Sequence, residues 1–399
     1  MSADLPQVSV IIPLFNTRQW VSDAVNSVLA QKGVNLECIV VDDGSTDGGG
    51  EMLRDKYGDK IRVHRQENRG LAGARNSGAR LAKGEFLAFL DADDYWLPGK
   101  LRYQLRYLKK HSDISCVYCL ALRVDENKKL IPQAPWGMRS KNPNFTVRGL
   151  LTNQQSVGLG STILFRKSVY EQTKGFNESI RVAEDRDLQI QLAMGGFQQR
   201  IIKIPLVCIR YAKSSLSHSL DEEARNTAFL SRKHLYRSYF DQFEDQELKS
   251  LAKRQLINVY FRQFAFYLFI NEIGNIEKIR EEISMLLDKD DPVCLFFQNQ
   301  IKYFTPLIFH SHGWPRLETF IRQLQREREL FVDQCPKNFD DKLDLLESAI
   351  WCSKFGKLDL KKKAFNYLID AIKRSPTLLL DKRFLTLFFK FLIGIFVRR

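Results

Sequence analysis

Short apolar runs alternate with segments of helical periodicity over the first ninety or so residues of the chain. Four runs are each long enough for one buried strand and too short for a helix: residues 8–14, 36–41, 61–64 and 86–90. Between them, apolar positions recur at helical spacing in residues 17–31, 50–57 and 71–81. Strands that alternate with helices in this way are typical of βαβ units, so the pattern predicts an α/β fold with a mostly parallel sheet.

Polar residues cluster directly after each of these predicted strands. The clusters are Asn16, residues 42–47, residues 68–70 and residues 91–94. In parallel sheets, ligands bind at the carboxyl ends of the strands. Four polar clusters at that edge therefore predict one binding pocket.

Three of the four residues at 91–94 are carboxylates, which repel one another unless a cation or a set of donors neutralises them. Mg²⁺ and Mn²⁺ prefer oxygen ligands and are often shared with substrate phosphates. Asp91 and Asp93 project to the same side of an extended segment, which favours such a site. The alternative is an acidic turn in which Asp93 or Asp94 caps the helix that holds residues 100–108.

The other clusters favour a nucleoside diphosphate as the ligand. Asp43 can accept hydrogen bonds from a base or a ribose, and Arg75 and Asn76 offer donors to phosphate. Small residues at 70–74 allow the backbone to approach a ligand closely. The alternatives are that residues 42–50 are a polar turn in which Ser45 or Asp47 caps a helix, and that Arg75 lies on a solvated helix face.

Seven segments, in order, resemble the family 2 glycosyltransferases, which have the nucleotide-sugar-binding GT-A fold. They are VSVIIPLFN (8–16), SVLAQ (27–31), ECIVVDDGSTD (37–47), NRGLAGARNSGA (68–79), GEFLAFLDADDYWLP (84–98), KGFNES (174–179) and AEDRDLQIQLAMGG (183–196). The similarity covers about residues 8–217, and the ordered set is far more specific than any one segment.

The resemblance implies an inverting glycosyltransferase that moves a sugar from a nucleotide-diphospho-sugar, expected to be a UDP-sugar, to a hydroxyl of a sugar or lipid-linked acceptor. Asp185 would be the general base that deprotonates this hydroxyl, while Asp91 and Asp93 would hold Mn²⁺ or Mg²⁺ against the diphosphate. Asp94 and Glu184 are further candidates beside them. The residues expected to line the nucleotide-sugar site are Pro13, Leu14, Phe15, Asn16, Asp43, Arg75, Asn76, Asp91 and Ala92.

Two features of the sequence leave alternatives to this assignment. Residues 183–194 could be an amphipathic helix with an acidic first turn, since carboxylates there suit the helix dipole. Many family members carry a His that completes the metal site, and Ala212 stands at that position in this chain. His218 would compensate for the missing ligand, or it is a surface histidine.

The character of the chain changes at about residue 221, where glycines become sparse and long helical patterns begin. We therefore predict a GT-A domain at 1–220, an all-α region at 221–375 and a basic apolar tail at 376–399. The strongest helical patterns of the middle region lie at 247–270, 276–287, 317–331 and 342–355.

The tail combines positive charge with an apolar segment. The whole chain has a formal net charge of +14, and residues 384–397 are nearly all apolar, with one Lys. A helix of that length spans about 21 Å, less than the bilayer core of roughly 30 Å. This favours contact with an anionic membrane surface over a transmembrane span. The alternative is a helix that packs on the preceding helices or at an oligomer interface.

The beginning of the sequence lacks a basic apolar leader, so we expect a cytoplasmic protein that is peripheral at the inner face of the cell membrane. A non-catalytic nucleotide-sugar or glycan binding protein on the same fold is the main rival. Nucleic-acid binding is suggested by charge alone, and a tail interleaved with Phe and aliphatic residues suits lipid better. Cys116 and Cys119 lie in an apolar run, which predicts buried thiols and not a metal or redox pair.

Overall fold

The computed structural model describes residues 7–132, 145–152, 160–211 and 222–270, together with a few single residues up to 282. The chain divides into two compact units, Met1–Leu256 and Ile257–Arg399, and the candidate site lies in the first. His218, the tail at 376–399 and the helical patterns predicted at 276–287, 317–331 and 342–355 lie largely or wholly outside the described residues.

Eight strands form one mixed sheet in the order β3-β2-β1-β4-β7-β6-β8-β5. The strands are β1 (Val8–Leu14), β2 (Leu36–Asp43), β3 (Arg62–Gln66), β4 (Phe86–Phe89), β5 (Tyr95–Trp96), β6 (Ile114–Val124), β7 (Leu164–Arg166) and β8 (Gln198–Arg210). Strands β1 to β4 pair in parallel, as the alternating pattern predicts. The other half is mixed, since β7 runs antiparallel to β4 and β6 while β6 and β8 are parallel.

Nine α-helices are present in the described part of the chain, and most connect or flank these strands. They are α1 (Arg18–Leu29), α2 (Gly49–Tyr57), α3 (Gly70–Leu81), α4 (Lys100–Lys110), α5 (Val147–Leu151), α6 (Lys167–Tyr170), α7 (Glu184–Met194), α8 (Glu222–Gln242) and α9 (Gln246–Ile270). The predicted strands and helices of the first ninety residues are confirmed, with ends that shift by one or two residues. Strands β5 and β8 have no counterpart among the predicted elements, because β5 has two residues and β8 has an irregular burial pattern.

The core lies on both faces of the central parallel strands. Every residue of β1 is buried, and α1 packs its apolar positions Val21, Ala24, Val25 and Val28 into the same cluster. Helix α3 lies very close to β1, because a Cβ at Gly78 would stand 2.3 Å from Cγ2 of Ile11. Cys116 and Cys119 are buried free thiols in β6, as predicted.

None of the helices in the described residues combines the length and the apolar character needed to cross a bilayer.

Candidate active site

The carboxyl ends of β1 and β2 form one side of the candidate site. Asp43, the last residue of β2, is buried, and its Oδ1 accepts hydrogen bonds from Gln66 Nε2 at 2.7 Å and from the backbone N–H of Arg69 at 2.8 Å. Asn16 follows β1 with a left-handed backbone (φ 50°), and its Oδ1 accepts from the backbone N–H of Thr46 at 2.8 Å. These contacts join the polar segments at the ends of β1, β2 and β3, as expected for a single ligand site.

Of the residues predicted to line the base pocket, those of β1 are covered by their neighbours. Pro13 and Leu14 are buried, whereas Phe15 is 49% exposed. Ala92 lies in the hydrophobic core, so its backbone is what it can present to a ligand. Asn16 also lines an open cleft of about 510 Å³ with Arg18, Gln19, Ser22, Asp47 and Met52.

The acidic turn after β4 holds three carboxylates in different surroundings. Asp91 is partly exposed and its Oδ1 accepts from Arg75 Nη2 at 2.6 Å. Asp94 is buried and structural, because its oxygens accept from the Ser161 hydroxyl at 2.6 Å and from the backbone N–H of Arg210 at 3.1 Å. Burial and the neighbouring carboxylates of Asp93 and Asp91 raise the pKa of Asp94 well above its usual value.

Asp93 is the member of this turn with unused acceptor capacity. Its carboxylate accepts no side-chain hydrogen bond from the described residues, while burial and the charge of Asp91 raise its pKa to about 6. A raised pKa means that the site repels the charged form, and a cation would relieve this repulsion.

The structure therefore fits the predicted divalent cation at Asp91 and Asp93 in its donor chemistry. Two carboxylates next to a diphosphate are a typical protein contribution to an Mg²⁺ or Mn²⁺ site, and phosphate oxygens and water supply the other ligands. Within the described residues, no group of three or more His, Cys, Asp or Glu side chains could hold a metal by itself.

Arg75 connects the acidic turn to a second acidic segment. The side chain is 1% exposed, and Nη1 donates to Glu184 Oε1 at 2.6 Å while Nη2 donates to Asp91. A Cβ at position 160 would lie 2.5 Å from Arg75 Nη2, so Gly160 leaves the space that the guanidinium occupies. Burial lowers the pKa of Arg75, but Asp91 and Glu184 outweigh this effect and hold it above its ordinary value.

The first turn of α7 carries the predicted base. Ala183, just before it, has φ 77°, an uncommon conformation for a residue with a side chain, and it sets a sharp entry into the helix. Glu184 is buried against Arg75, and burial raises its pKa to about 7, with Asp185 adding to the rise and Arg75 opposing it. Asp187 is also buried, and it accepts from Tyr239 and Gln191.

Asp185 differs from both acidic neighbours in this turn. It is partly exposed, and the hydrogen bond at its carboxylate comes from the backbone N–H of Arg186 at 2.7 Å. It lines a narrow cavity together with Tyr118, Gly160, Phe176 and Gln189. Of the three acidic residues in the turn, Asp185 is therefore the one free to meet a substrate.

Two residues predicted to donate to phosphate are held elsewhere. Arg75 is enclosed between two carboxylates, and the alternative of a solvated helix face is excluded by its burial. Asn76 donates to the carbonyl of Phe176 and to Glu178 Oε1, and its Oδ1 accepts from Tyr170 and the backbone N–H of Phe176. Both residues therefore organise the site instead of presenting free donors, a difference from the sequence-based expectation.

Three residues at this site carried no prediction from the sequence. The Ser161 hydroxyl donates to Asp94 and accepts from the backbone N–H of Asp91, Tyr239 donates to Asp187, and Arg210 donates to the carbonyl of Asp93 at 2.9 Å and to Asp23 at 2.9 Å. Arg210 precedes the segment in which the family's His is replaced, and that position was the sequence signal that could have indicated it.

The comparisons with known proteins find similarity to glycosyltransferases. Residues 9–173 match the family model described as glycosyl transferase family 2. The chondroitin synthase of Pasteurella multocida is 27% identical over 74% of this chain and 30% of its own length, and an uncharacterized glycosyltransferase of Rickettsia felis is 32% identical over 50% of this chain and 33% of its own. The chain thus spans about a third of the length of these two relatives. An uncharacterized glycosyltransferase of Rickettsia typhi, 29% identical, aligns with 75% of this chain and 91% of its own length.

Among solved structures, S. aureus TarS residues 1–349 in complex with UDP-GlcNAc aligns with 93% of this chain and 92% of its own, at a TM-score of 0.50 and 17% identity. At this identity the likeness shows the fold, and it agrees with the GT-A class predicted from the sequence.

Proposed function

We propose that the protein is an inverting hexosyltransferase that uses a nucleotide-diphospho-sugar donor, since residues 9–173 match the model of glycosyl transferase family 2. The observation that carries this proposal is the difference in environment among the three carboxylates in the first turn of α7. Glu184 and Asp187 are committed to protein partners, whereas Asp185 is partly exposed. Arg75 joins this turn to Asp91 of the acidic turn after β4.

In the proposed reaction, the acceptor hydroxyl attacks the anomeric carbon of the donor sugar. Asp185 takes the hydroxyl proton as the new bond between the acceptor oxygen and the anomeric carbon forms, which makes a weak nucleophile effective. The bond between the anomeric carbon and the diphosphate oxygen breaks on the opposite face of the ring. The products are an inverted glycoside and a nucleoside diphosphate, and Asp185 then returns its proton to solvent.

Asp91 and Asp93 would hold the divalent cation, which would supply positive charge opposite the leaving diphosphate. Arg75 fixes the position of Asp91 and leaves Asp93 with unused acceptor capacity. Asp43 would contact the base or ribose, since its Oδ1 is used by Gln66 and Arg69 while Oδ2 accepts no hydrogen bond from the described residues.

The donor and the acceptor are proposed at the level of chemical class. The relatives include chondroitin and hyaluronan synthases, which supports a role in polysaccharide synthesis with a UDP-sugar donor. The TarS complex contains UDP-GlcNAc, which makes this compound the first donor to test. Peripheral location at the cytoplasmic face of the membrane is a further proposal, supported by the basic apolar sequence at 376–399.

A donor screen tests the proposal. The full chain is titrated calorimetrically with UDP-GlcNAc, UDP-GalNAc, UDP-glucose, UDP-galactose and UDP-glucuronic acid, with Mn²⁺ or with EDTA, and release of UDP is followed in parallel. We expect one UDP-sugar to bind at least about tenfold more tightly with Mn²⁺, a difference of about 1.4 kcal/mol, and to be slowly hydrolysed. Asp93→Asn should remove the dependence on Mn²⁺.

Equal affinity with Mn²⁺ and EDTA would refute the metal assignment. Tight binding of a UDP-sugar without release of UDP, with or without added glycan acceptors, would favour the rival function of a non-catalytic binding protein.

A further inference from the structure

Helix α8 contacts α7 and the segment that leads into it at three points. The Ser231 hydroxyl accepts from the backbone N–H of Arg181 at 3.2 Å, and His234 Nε2 lies 3.1 Å from the Ser179 hydroxyl. Five residues further along α8, the Tyr239 hydroxyl donates to Asp187 Oδ1 of α7 at 2.8 Å. Helix α8 lies beyond residues 9–173, so the family match does not include it.

The contact between Tyr239 and Asp187 is buried and fixes the rotation of α7. Both side chains are almost closed to solvent, at 3% and 4% exposure. The two oxygens of Asp187 have separate donors, because Gln191 Nε2 donates to Oδ2 at 2.7 Å while Tyr239 donates to Oδ1. Gln191 belongs to α7 itself, so its bond fixes the direction of the carboxylate on the helix, and the bond from Tyr239 then ties that direction, and with it the rotation of α7, to α8.

That rotation determines where Asp185 points. Each residue of an α-helix turns by about 100°, so side chains two residues apart face nearly opposite directions. With Asp187 turned inward to α8, Asp185 faces away from α8. Arg75 holds Glu184 from the other side, and the left-handed backbone of Ala183 fixes where the helix begins.

We propose that Tyr239 is a positioning residue of the transferase, whose hydroxyl acts through Asp187 to aim the Asp185 carboxylate at the acceptor. The inference rests on the proposed function, because it assigns no chemistry to Tyr239 itself. In this proposal α8 contributes to catalysis, although the sequence pattern assigns this helix to a separate helical region.

The test compares two tyrosines of the same helix. Tyr239→Phe removes the hydroxyl that binds Asp187, whereas Tyr236→Phe removes a hydroxyl of a buried tyrosine that makes no hydrogen bond with the described residues. UDP release from UDP-GlcNAc, or from the best donor of the screen, is measured with Mn²⁺ and divided by the number of donor sites titrated, so that loss of folded protein does not enter kcat. We expect kcat to fall about tenfold in Tyr239→Phe with an unchanged KM for the donor, and both constants to stay unchanged in Tyr236→Phe.

A second variant keeps the test valid if Tyr239→Phe does not fold. Asp187→Ala removes the carboxylate that the Tyr239 hydroxyl binds, so it should also lower kcat without changing KM, and an unchanged kcat in this variant would overturn the inference. The inference is overturned if the Tyr239→Phe and Tyr236→Phe proteins have the same kcat per donor site, or if Tyr239→Phe raises KM and leaves kcat unchanged. A wild-type protein without turnover of any donor would overturn the proposed function itself, so the two failures are distinct.

Discussion

Two buried cationic side chains of the first unit, Arg75 and Lys100, differ in the partners that compensate their charge. Arg75 is stabilised by two carboxylates at 2.6 Å, so its burial is compensated. Lys100 has no such compensation: its side chain is fully buried, and Nζ donates to Gln104 Oε1 at 2.8 Å and lies 3.9 Å from the centre of the Trp96 ring. Burial lowers the pKa of Lys100 to about 8.

This lowered pKa predicts a stability that rises with pH. Below about pH 8, Lys100 is charged in the folded and the unfolded chain, and the folded state carries the cost of burying the charge. Between about pH 8 and the unfolded pKa near 10.4, the folded state loses the proton first, so the free energy of unfolding should increase by about 3 kcal/mol. Lys100→Met should remove this increase in urea unfolding at pH 7.0 and 10.0.

The matched control is Lys109→Met on the same helix, where the side chain is exposed and the wild-type increase should be retained. Equal pH dependence in the wild-type and Lys100→Met proteins would contradict the assignment.

At the scale of elements, the site depends on how closely α3 approaches the sheet. Gly78 brings α3 onto Ile11 of β1, and the same helix carries Arg75 and begins at the turn that binds Asp43. The approach of the helix therefore sets the position of Arg75, and of the carboxylates that Arg75 binds, relative to Asp43.

Gly78→Ala tests this packing. Alanine is favoured over glycine in a helix by about 1 kcal/mol, but its Cβ would overlap Ile11, and overpacking of this kind costs about 1–3 kcal/mol. We expect a net loss of stability in urea unfolding. The double variant Gly78→Ala with Ile11→Ala should be more stable than the sum of the two single changes predicts, because the overlap is gone. Strict additivity would show that the contact is not limiting.

The acidic first turn of α7 shows why predicting a helix from the sequence does not reveal which of its residues is catalytic. Glu184, Asp185 and Asp187 all suit the amino end of a helix, so the sequence pattern alone is equally compatible with a purely structural turn. Contacts to Arg75 and Tyr239 distinguish them, and these partners lie 109 and 52 residues away in the chain.

At the scale of the whole molecule, the sequence predicted the half of the sheet that is built from local units. Strands β1 to β4 follow one another with short helical connections, and the alternating pattern predicts that they run parallel. The order β7-β6-β8-β5 arises from long connections and antiparallel pairs, which periodicity does not encode. In the same way, the location of Asp43, Asp91 and Asp93 at the carboxyl edge of the sheet could be predicted from their positions at or after strand ends, whereas the enclosure of Arg75 and the contacts of Asn76 depend on distant segments.

We propose that Asp185 acts as the general base of the transfer and that the donor binds without its help. The most direct test measures two quantities on the Asp185→Asn protein with Mn²⁺: the rate of UDP release from the UDP-sugar that the wild-type protein turns over, and the affinity for that donor. Asp113→Asn, at an exposed position without a hydrogen bond or ion pair to the described residues, is the control. We expect a rate lower by about 10²–10⁴-fold with unchanged donor affinity. A rate close to that of the wild-type protein would contradict it.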